Sequence, residues 1–312
     1  MAYDLSKLLV VGISSRALFD LSREDQIYRE RGLQAYAKYQ YQHENDVLKP
    51  GTGFPLVKAM LSLNQDIPSD RRVEVLVLSR NSPNTGLRVL NAIDHYGLDI
   101  TRSCFTGGKP AVAYAPDYCV DLFLSADEED VRAAHDNNIP AAIVYAPPGS
   151  PPPTADKNLS RIRIAFDGDA VLFDEESERI FQESGVEEFK QHELEKTREP
   201  LKKGPFAKLL VTLSYLQRKK PPGKSPIRIG LFTSRNSPSH KRVIHTLRAW
   251  KVRVDELHFM GGVEKAAILR RFEPHIYFDD QHTHCDSASH VVPTARVPSD
   301  LSTSDARIKM AG

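Results

Sequence analysis

Two carboxylates separated by one glycine, Asp167-Gly168-Asp169, stop an apolar run of strand type (Ile162, Ile164, Ala165, Phe166) just before a second apolar run, Ala170 to Phe173. A strand ending in acids delivers them to the crevice outside the carboxyl ends of the strands, where open α/β sheets bind ligands. A second such stretch, HIYFDDQ, ends in the adjacent acids Asp279 and Asp280. Between them, IRIGLFTSRN ends in a hydroxyl, Thr233, followed by Ser234 and Arg235, and Lys265 opens a helix-like segment after Gly261-Gly262. Two acid pairs at strand ends make an oxygen-rich pocket suited to Mg²⁺, a hard cation that takes carboxylates, waters and phosphate oxygens. A hydroxyl and an ammonium nearby are what a dianionic phosphate needs. With metal and lysine screening the repulsion, Asp167 is free to act as a nucleophile on phosphorus.

Each feature has a plainer reading. An isolated DGD is usually a turn, and Lys265 alone is a surface helix lysine. It is the set, in this order, that points to chemistry. Ser234 and Arg235 lie within reach of a phosphate, but the same SRNSP occurs at Ser79 to Pro83, so a turn-forming role accounts for both. Thr106-Gly107-Gly108-Lys109 lacks the spacing of a phosphate loop. His282, His284 and Cys285 offer zinc-binding atoms but no fourth partner in sequence, and RKKPPGK (Arg218 to Lys224) reads as a solvated loop.

The elements that must position these residues alternate. Strands are expected at Leu8 to Ile13, Val73 to Ser79, Asp121 to Ala126 and Ala141 to Ala146, with helical stretches after Ile13 through about Tyr41, over Leu56 to Leu63 and around Leu87 to His95. Such alternation predicts a mainly parallel sheet flanked by helices. The run PPGSPPP, residues 147–153, supports neither helix nor ladder and is expected to be a spacer.

Past the spacer the order begins again. LFD at Leu18 to Asp20 recurs at Leu172 to Asp174, Gly107-Gly108 at Gly261-Gly262, DLFLSA as HIYFDD, and SRNSP at Ser234 to Pro238. The offset is 154 for the first of these (174 − 20) and 155 for SRNSP (234 − 79). A nearly constant offset over four blocks implies two copies of one α/β unit. At that offset Asp167, Asp169, Asp279 and Asp280 correspond to Ile13, Ser15, Ser125 and Ala126, so only the second copy carries the acids. The expected fold is therefore α/β, with two tandem Rossmann-like three-layer units: residues 1–146 without catalytic acids, and residues 154–312 catalytic. About 50 residues between the first and second motifs, within 175–224, are expected to form a small helical cap, with helices merely packed on the sheet as the alternative; Phe206, Leu209, Leu210, Leu213 and Leu216 fall on one helical face.

The 312 residues suffice for two cores. With 42 Lys plus Arg against 41 Asp plus Glu, no large field recommends a nucleic-acid or membrane partner, and no stretch approaches the roughly 18 to 20 apolar residues of a membrane span. Three widely spaced cysteines fit neither a disulfide framework nor a thiolate zinc site. With no signal-peptide layout at the start of the chain, these features predict a cytoplasmic protein with reduced thiols.

DGDAVLF, Thr233, Lys265 and Asp279-Asp280 resemble the four ordered motifs of the haloacid dehalogenase-like (HAD) phosphatase superfamily. AFDGDAVLFDEESE, ISSRALFDL, FPLVKA and PHIYFDDQ are similar to the cytosolic 5′-nucleotidase I family, so the resemblance covers nearly the whole chain and implies two HAD-like units. It implies Mg²⁺-dependent hydrolysis of a nucleoside 5′-monophosphate, AMP being typical. By the same resemblance Asp167 is the nucleophile, Asp169 the general acid and base, and Thr233 and Lys265 the phosphate holders. Asp279, with Asp280 as a further candidate, completes the metal shell with Asp167 and the Asp169 carbonyl. Two alternatives stay open: a phosphatase of another small ester such as a sugar phosphate, and a nucleotide-binding regulatory protein without turnover. For the acid-free half there are two readings: a structural partner packed as a second subunit would be, or a second anion site at Ser14, Ser15 and Arg16. Base preference, effectors and homo-oligomer formation are not fixed by the sequence.

Overall fold

The computed structural model describes residues 4–64, 72–145, 161–221 and 223–299; the expected spacer, 147–153, and the tail 300–312 lie outside them. The chain divides into two compact units, Met1–Lys157 and Asn158–Gly312.

The first unit runs β1 (Leu9–Ile13), α1 (Ser15–Leu18), β2 (Phe19–Asp20), α2 (Ser22–Gln42), β3 (Lys49–Pro50), α3 (Phe54–Ser62), β4 (Val73–Ser79), α4 (Pro83–His95), β5 (Arg102–Phe105), β6 (Leu122–Ser125), α5 (Glu128–Asp136) and β7 (Ala141–Tyr145). Five strands pair in parallel in the order β5-β4-β1-β6-β7, while β2 and β3 form a small antiparallel ladder. The inner strand β4, VEVLVLS, is buried along its whole length, as the near-continuous apolar run of a sheet covered on both faces requires. Its one charge, Glu74, is met at 2.6 Å by Arg102 of the neighbouring edge strand. That edge strand, RSCF, is only partly buried and carries no apolar run, so periodicity does not announce it.

The second unit runs β8 (Ile162–Phe166), α6 (Glu176–Glu195), α7 (Ala207–Arg218), β9 (Ile227–Thr233), α8 (His240–Ala249), β10 (Glu256–Phe259), α9 (Ala266–Phe272), β11 (Ile276–Asp279), α10 (His282–Ser289) and β12 (Thr294–Arg296). All five strands are parallel, in the order β10-β9-β8-β11-β12. Counting the parallel strands along the chain, both units have the order 3-2-1-4-5. Leu209, Leu210 and Leu213 of α7 are buried, and α7 packs against β9, so this part of the stretch 175–224 lies on the sheet.

The remainder of that stretch, α6, breaks at Gly185 (φ 83°, ψ −175°), a conformation open in practice only to glycine. Its two arms fold back on each other. Ser177 Oγ donates to Glu193 Oε1 at 2.9 Å, and Phe181 meets Phe189 edge-on at 6.0 Å. In the first unit α2 breaks in the same way at Gly32 (φ 77°, ψ −178°).

Backbone bonding refines the correspondence between the units. Asp167 N–H donates to the Phe278 carbonyl at 2.8 Å, and Ser14 N–H to that of Leu124 at 2.8 Å, so the partner of Asp167 is Ser14 and not Ile13. Five residues on, Phe19 pairs with Pro50, while Phe173, six residues past Asp167, pairs with Lys203. The second unit thus has one residue more in this turn. Where the first unit forms the short α-helix α1, the second forms a π turn over Gly168–Leu172, with Ala170 left-handed at φ 57°. A one-residue insertion into a helical turn is the usual origin of a π turn, frequently at functional sites. The shared SRNSP is likewise one residue out of register: Ser79 Oγ accepts from Asn81 N–H and Thr233 Oγ1 from Arg235 N–H, so Ser79 matches Thr233 and Asn81 matches Arg235.

Candidate active site

The chemistry-bearing residues of the second unit come from the carboxyl ends of β8, β9 and β11 and the start of α9. Asp167 follows β8, Thr233 ends β9, Asp279 ends β11 with Asp280 next, and Lys265 caps α9. All five are buried. Lys265 Nζ stands between two carboxylates, donating to Asp167 Oδ1 at 2.7 Å and Asp279 Oδ2 at 2.8 Å. Asp279 also accepts from the Tyr277 hydroxyl and, at 2.9 Å, from the Gln281 N–H, with His284 Nδ1 at 3.3 Å. Gly168 is closely approached here: a Cβ at this position would lie 3.0 Å from Thr233 Oγ1, so the hydroxyl sits directly against the Asp-Gly-Asp turn.

Carboxylate oxygens of Asp167, Asp279 and Asp280 lie within 4.8 Å of one another, the one such grouping among the described residues. Burial pushes Asp167 up to about 7 against the pull of Lys265, with repulsion from Asp279 adding to the rise. Burial raises Asp280 well above the usual carboxylate range, helped by Asp279 and Asp167, and it accepts from the Ser299 hydroxyl at 3.3 Å. Burial would raise Asp279 as well, but Lys265 and His284 hold it low. Three buried carboxyls served by one ammonium are short of positive charge, and a divalent cation with oxygen ligands fits that deficit.

Asp169 lies elsewhere. Its carboxylate is clasped by the Arg235 guanidinium, Nε to Oδ2 at 2.8 Å and Nη2 to Oδ1 at 2.6 Å, and it is not one of the three grouped acids. Arg235 is buried, its guanidinium carbon 5.9 Å from the ring centroid of Phe173 and 5.7 Å from that of Phe189. Burial would lower its pKa, yet Asp169 and Glu193 hold it above the ordinary arginine value. Glu193, fully buried on the second arm of α6, accepts from Arg235 at 2.6 Å and from Arg242 of α8 at 2.7 Å. Ser234 is exposed on the same loop.

Glu193, Arg242 and Tyr277 were not among the residues expected from sequence, and His284 was weighed there only as a zinc ligand. Glu193 and Arg242 find their partners far along the chain, so no local pattern marks them, whereas Tyr277 and His284 lie two and five residues from Asp279 and only the fold shows that they face it. One signal was present: KRVI at 241–244 repeats LRVL at 87–90, and Arg88 makes the corresponding bonds to Gln40 and Glu24. Of the candidate zinc residues, His284 faces Asp279, Cys285 is a buried thiol against the Asp279 carbonyl, and His282 is exposed.

A model of the family "5′-nucleotidase" matches residues 1–304. The human protein named cytosolic 5′-nucleotidase 1B is 35% identical over 294 residues, which is 90% of this chain and 47% of that protein. The chain therefore spans about half the length of the curated relative it matches. Among solved structures, histidinol dehydrogenase from Elizabethkingia anophelis aligns over 78% of this chain and 49% of its own with 8% identity and a TM-score of 0.22, too low to bear on the fold. With an Asp-Gly-Asp turn, a strand-end threonine, a buried lysine and paired strand-end acids assembled in one unit, and a family match that runs through both units, the chain belongs to the 5′-nucleotidase family, on the cytosolic type I branch.

Proposed function

We propose that this chain hydrolyses nucleoside 5′-monophosphates, AMP foremost, in its second unit, with Mg²⁺ as cofactor. The observation that carries the reading is the buried Asp167–Lys265–Asp279 triad beside Asp280 and Thr233. Asp167, Asp279 and Asp280, with the Asp169 carbonyl, would hold Mg²⁺, which when bound supplies positive charge against the phosphoryl oxygens. Asp167 attacks phosphorus, the bond to the 5′ oxygen breaks, and Asp169 gives its proton to the departing oxygen. Asp169 then takes a proton from the water that cleaves the aspartyl-phosphate, restoring Asp167. Lys265 and the Thr233 hydroxyl hold the phosphoryl oxygens as charge develops on them. Arg235 orients Asp169, and because its other side is bound by Glu193 it ties the orientation to α6, which serves as the cap.

We read both units as HAD-like, the first (1–146) being a copy that has lost the acids and joined by the spacer 147–153 to the second (154–312). The common strand order and the glycine breaks in α2 and α6 support this, as do Ser14 and Ser125 standing where the second unit has Asp167 and Asp279. No helix among the described residues is long and apolar enough to cross a membrane.

The test is phosphate release from AMP, other nucleoside monophosphates and sugar phosphates, with and without Mg²⁺. Release from AMP should require Mg²⁺ and disappear in Asp167→Asn, which keeps the fold because the amide replaces a carboxyl that burial already disfavours as an ion. Release from sugar phosphates alone, or metal-independent release, would overturn the reading.

A further inference from the structure

The first unit lacks the acids but keeps a cavity at the same end of its sheet, about 530 Å³ in volume, within the range of small-molecule sites. Its floor is made of hydroxyls: Ser14 and Ser15 after β1, Ser125 at the end of β6, and Ser82 with Thr85 at the start of α4. Its wall is the α2 hairpin, which presents Tyr28 and Leu33, 51% and 67% exposed, and Tyr36.

Asn81 sits between wall and floor. Gln40 donates to the Tyr36 hydroxyl at 3.0 Å, so that hydroxyl donates onward to Asn81 Oδ1 at 2.6 Å, and the chain of bonds fixes which way the amide points. Asn81 Nδ2 is covered and has no partner among the described residues, although Asn81 itself lines the cavity. An unpaired buried amide is costly, so a small shift of this side chain that brings Nδ2 to a ligand acceptor is favoured.

Charge decides what the ligand is. The cavity is lined by three arginines and four carboxylates. Arg16 is bound to Asp25 and Asp127, Arg29 to Asp25 at 2.8 Å, Arg80 to Asp130 at 2.5 Å, and Glu24 to Arg88 at 2.6 Å. No lysine or metal-binding acid group stands where Lys265 and the grouped acids of the second unit do. A dianionic phosphate would meet a lining with no cation to spare, whereas an uncharged molecule with a flat ring and hydroxyls would find aromatic faces, hydroxyls and the Asn81 donor.

We propose that this cavity of the first unit is a binding site for an uncharged, ring-bearing, hydroxylated ligand of the nucleoside class. The site and its chemistry stand on the cavity alone; that the nucleoside at hand is the enzyme's own product rests on the phosphatase reading.

The experiment is isothermal titration of the full Asp167→Asn chain with adenosine and with AMP, with and without Mg²⁺. Adenosine binds independently of Mg²⁺, and Tyr28→Ala weakens it about tenfold, the scale of one lost ring-stacking contact. Tyr28 is half exposed, so this variant keeps its fold; Asn81→Leu, with the same loss, is the second probe. Hydrogen exchange, read in parallel, slows on adenosine addition in segments 14–18 and 81–86. AMP is weaker than adenosine at this site. The proposal is overturned if adenosine does not bind, if its binding is lost in Lys265→Met and untouched by both cavity variants, or if AMP is the tighter ligand with the same dependence on Tyr28. Absence of phosphate release from the unsubstituted chain, with adenosine binding intact, would sink the phosphatase reading and leave this site standing.

Discussion

In the proposed mechanism Asp169 hands over and recovers a proton, and its carboxylate is held in a two-pronged grip by Arg235. A planar guanidinium fixes a carboxylate in one orientation, and an ammonium cannot reproduce the fork. Arg235→Lys should therefore lower kcat about tenfold or more with KM for AMP little changed, since orientation and not ground-state binding is lost. Steady-state kinetics separate the two, and a rise in KM at constant kcat would instead make Arg235 a substrate-binding residue. Asp167 gives a prediction with a definite sign. Burial sets its folded value at about 7, above that of a free carboxyl. Its contribution to stability is therefore present below the unfolded carboxylate value and lost as pH rises through about 7. Mg²⁺ binding to Asp167 and its neighbours should release protons near neutrality. Calorimetry of Mg²⁺ binding in buffers of different ionisation enthalpy should show that release, and the thermal shift produced by Mg²⁺ should grow from pH 6 to pH 8. A shift independent of pH would exclude Asp167 as a ligand.

At the scale of elements, the helical hairpins α2 and α6 are each locked to the next helix but one, α4 and α8, by a buried arginine, with the acid moved. In the first unit Arg88 is met by Glu24 on one arm and Gln40 on the other; in the second, Ser177 takes the place of Glu24, and Glu193 that of Gln40. Placing the acid on the second arm lets it reach Arg235 as well. Glu193→Gln should strand two buried guanidinium groups with too little negative charge and cost about 3 kcal/mol, read from denaturant midpoints. Adding Ser177→Glu recreates the first unit's arrangement and should recover stability without restoring full turnover, because the support of Arg235 is still missing. Recovery of both together would mean that Glu193 serves only the fold.

Across the whole molecule, the same strand order occurs in both units with different residues at the strand ends. Ser14 and Ser125 occupy the places of Asp167 and Asp279, which shows that the strand ends fold without acids. Ser125→Ala should accordingly leave phosphate release from AMP unchanged, while Asp279→Ser should abolish it and weaken Mg²⁺ dependence. Comparable losses from both substitutions would place part of the chemistry in the first unit.

Local chemistry was legible because it is carried by residue type and short spacing: Asp167-Gly168-Asp169, Thr233 and Asp279-Asp280 each end an apolar strand, and strand ends can be read from alternation and turn residues. The recurrence of one strand order in the two units was foreshadowed too, since a shared offset needs no contacts. The partial burial of β5 and β10 hid them, because a strand without a continuous apolar run gives no periodic signal. The one-residue insertion at the Asp-Gly-Asp turn was invisible to a constant offset, and the extra residue at SRNSP, 155 against 154, showed in the numbers, but which residues match was settled by backbone bonding that only three dimensions record. The sequence by itself determined which side chains carry the acids, the hydroxyl and the ammonium, and in which half. Only the tertiary structure decided that Lys265 bridges Asp167 and Asp279, that Arg235 holds Asp169 under the control of Glu193, and that the acid-free half keeps a cavity. Those facts depend on distances between residues far apart along the chain, and spacing along a sequence does not encode distance across a fold.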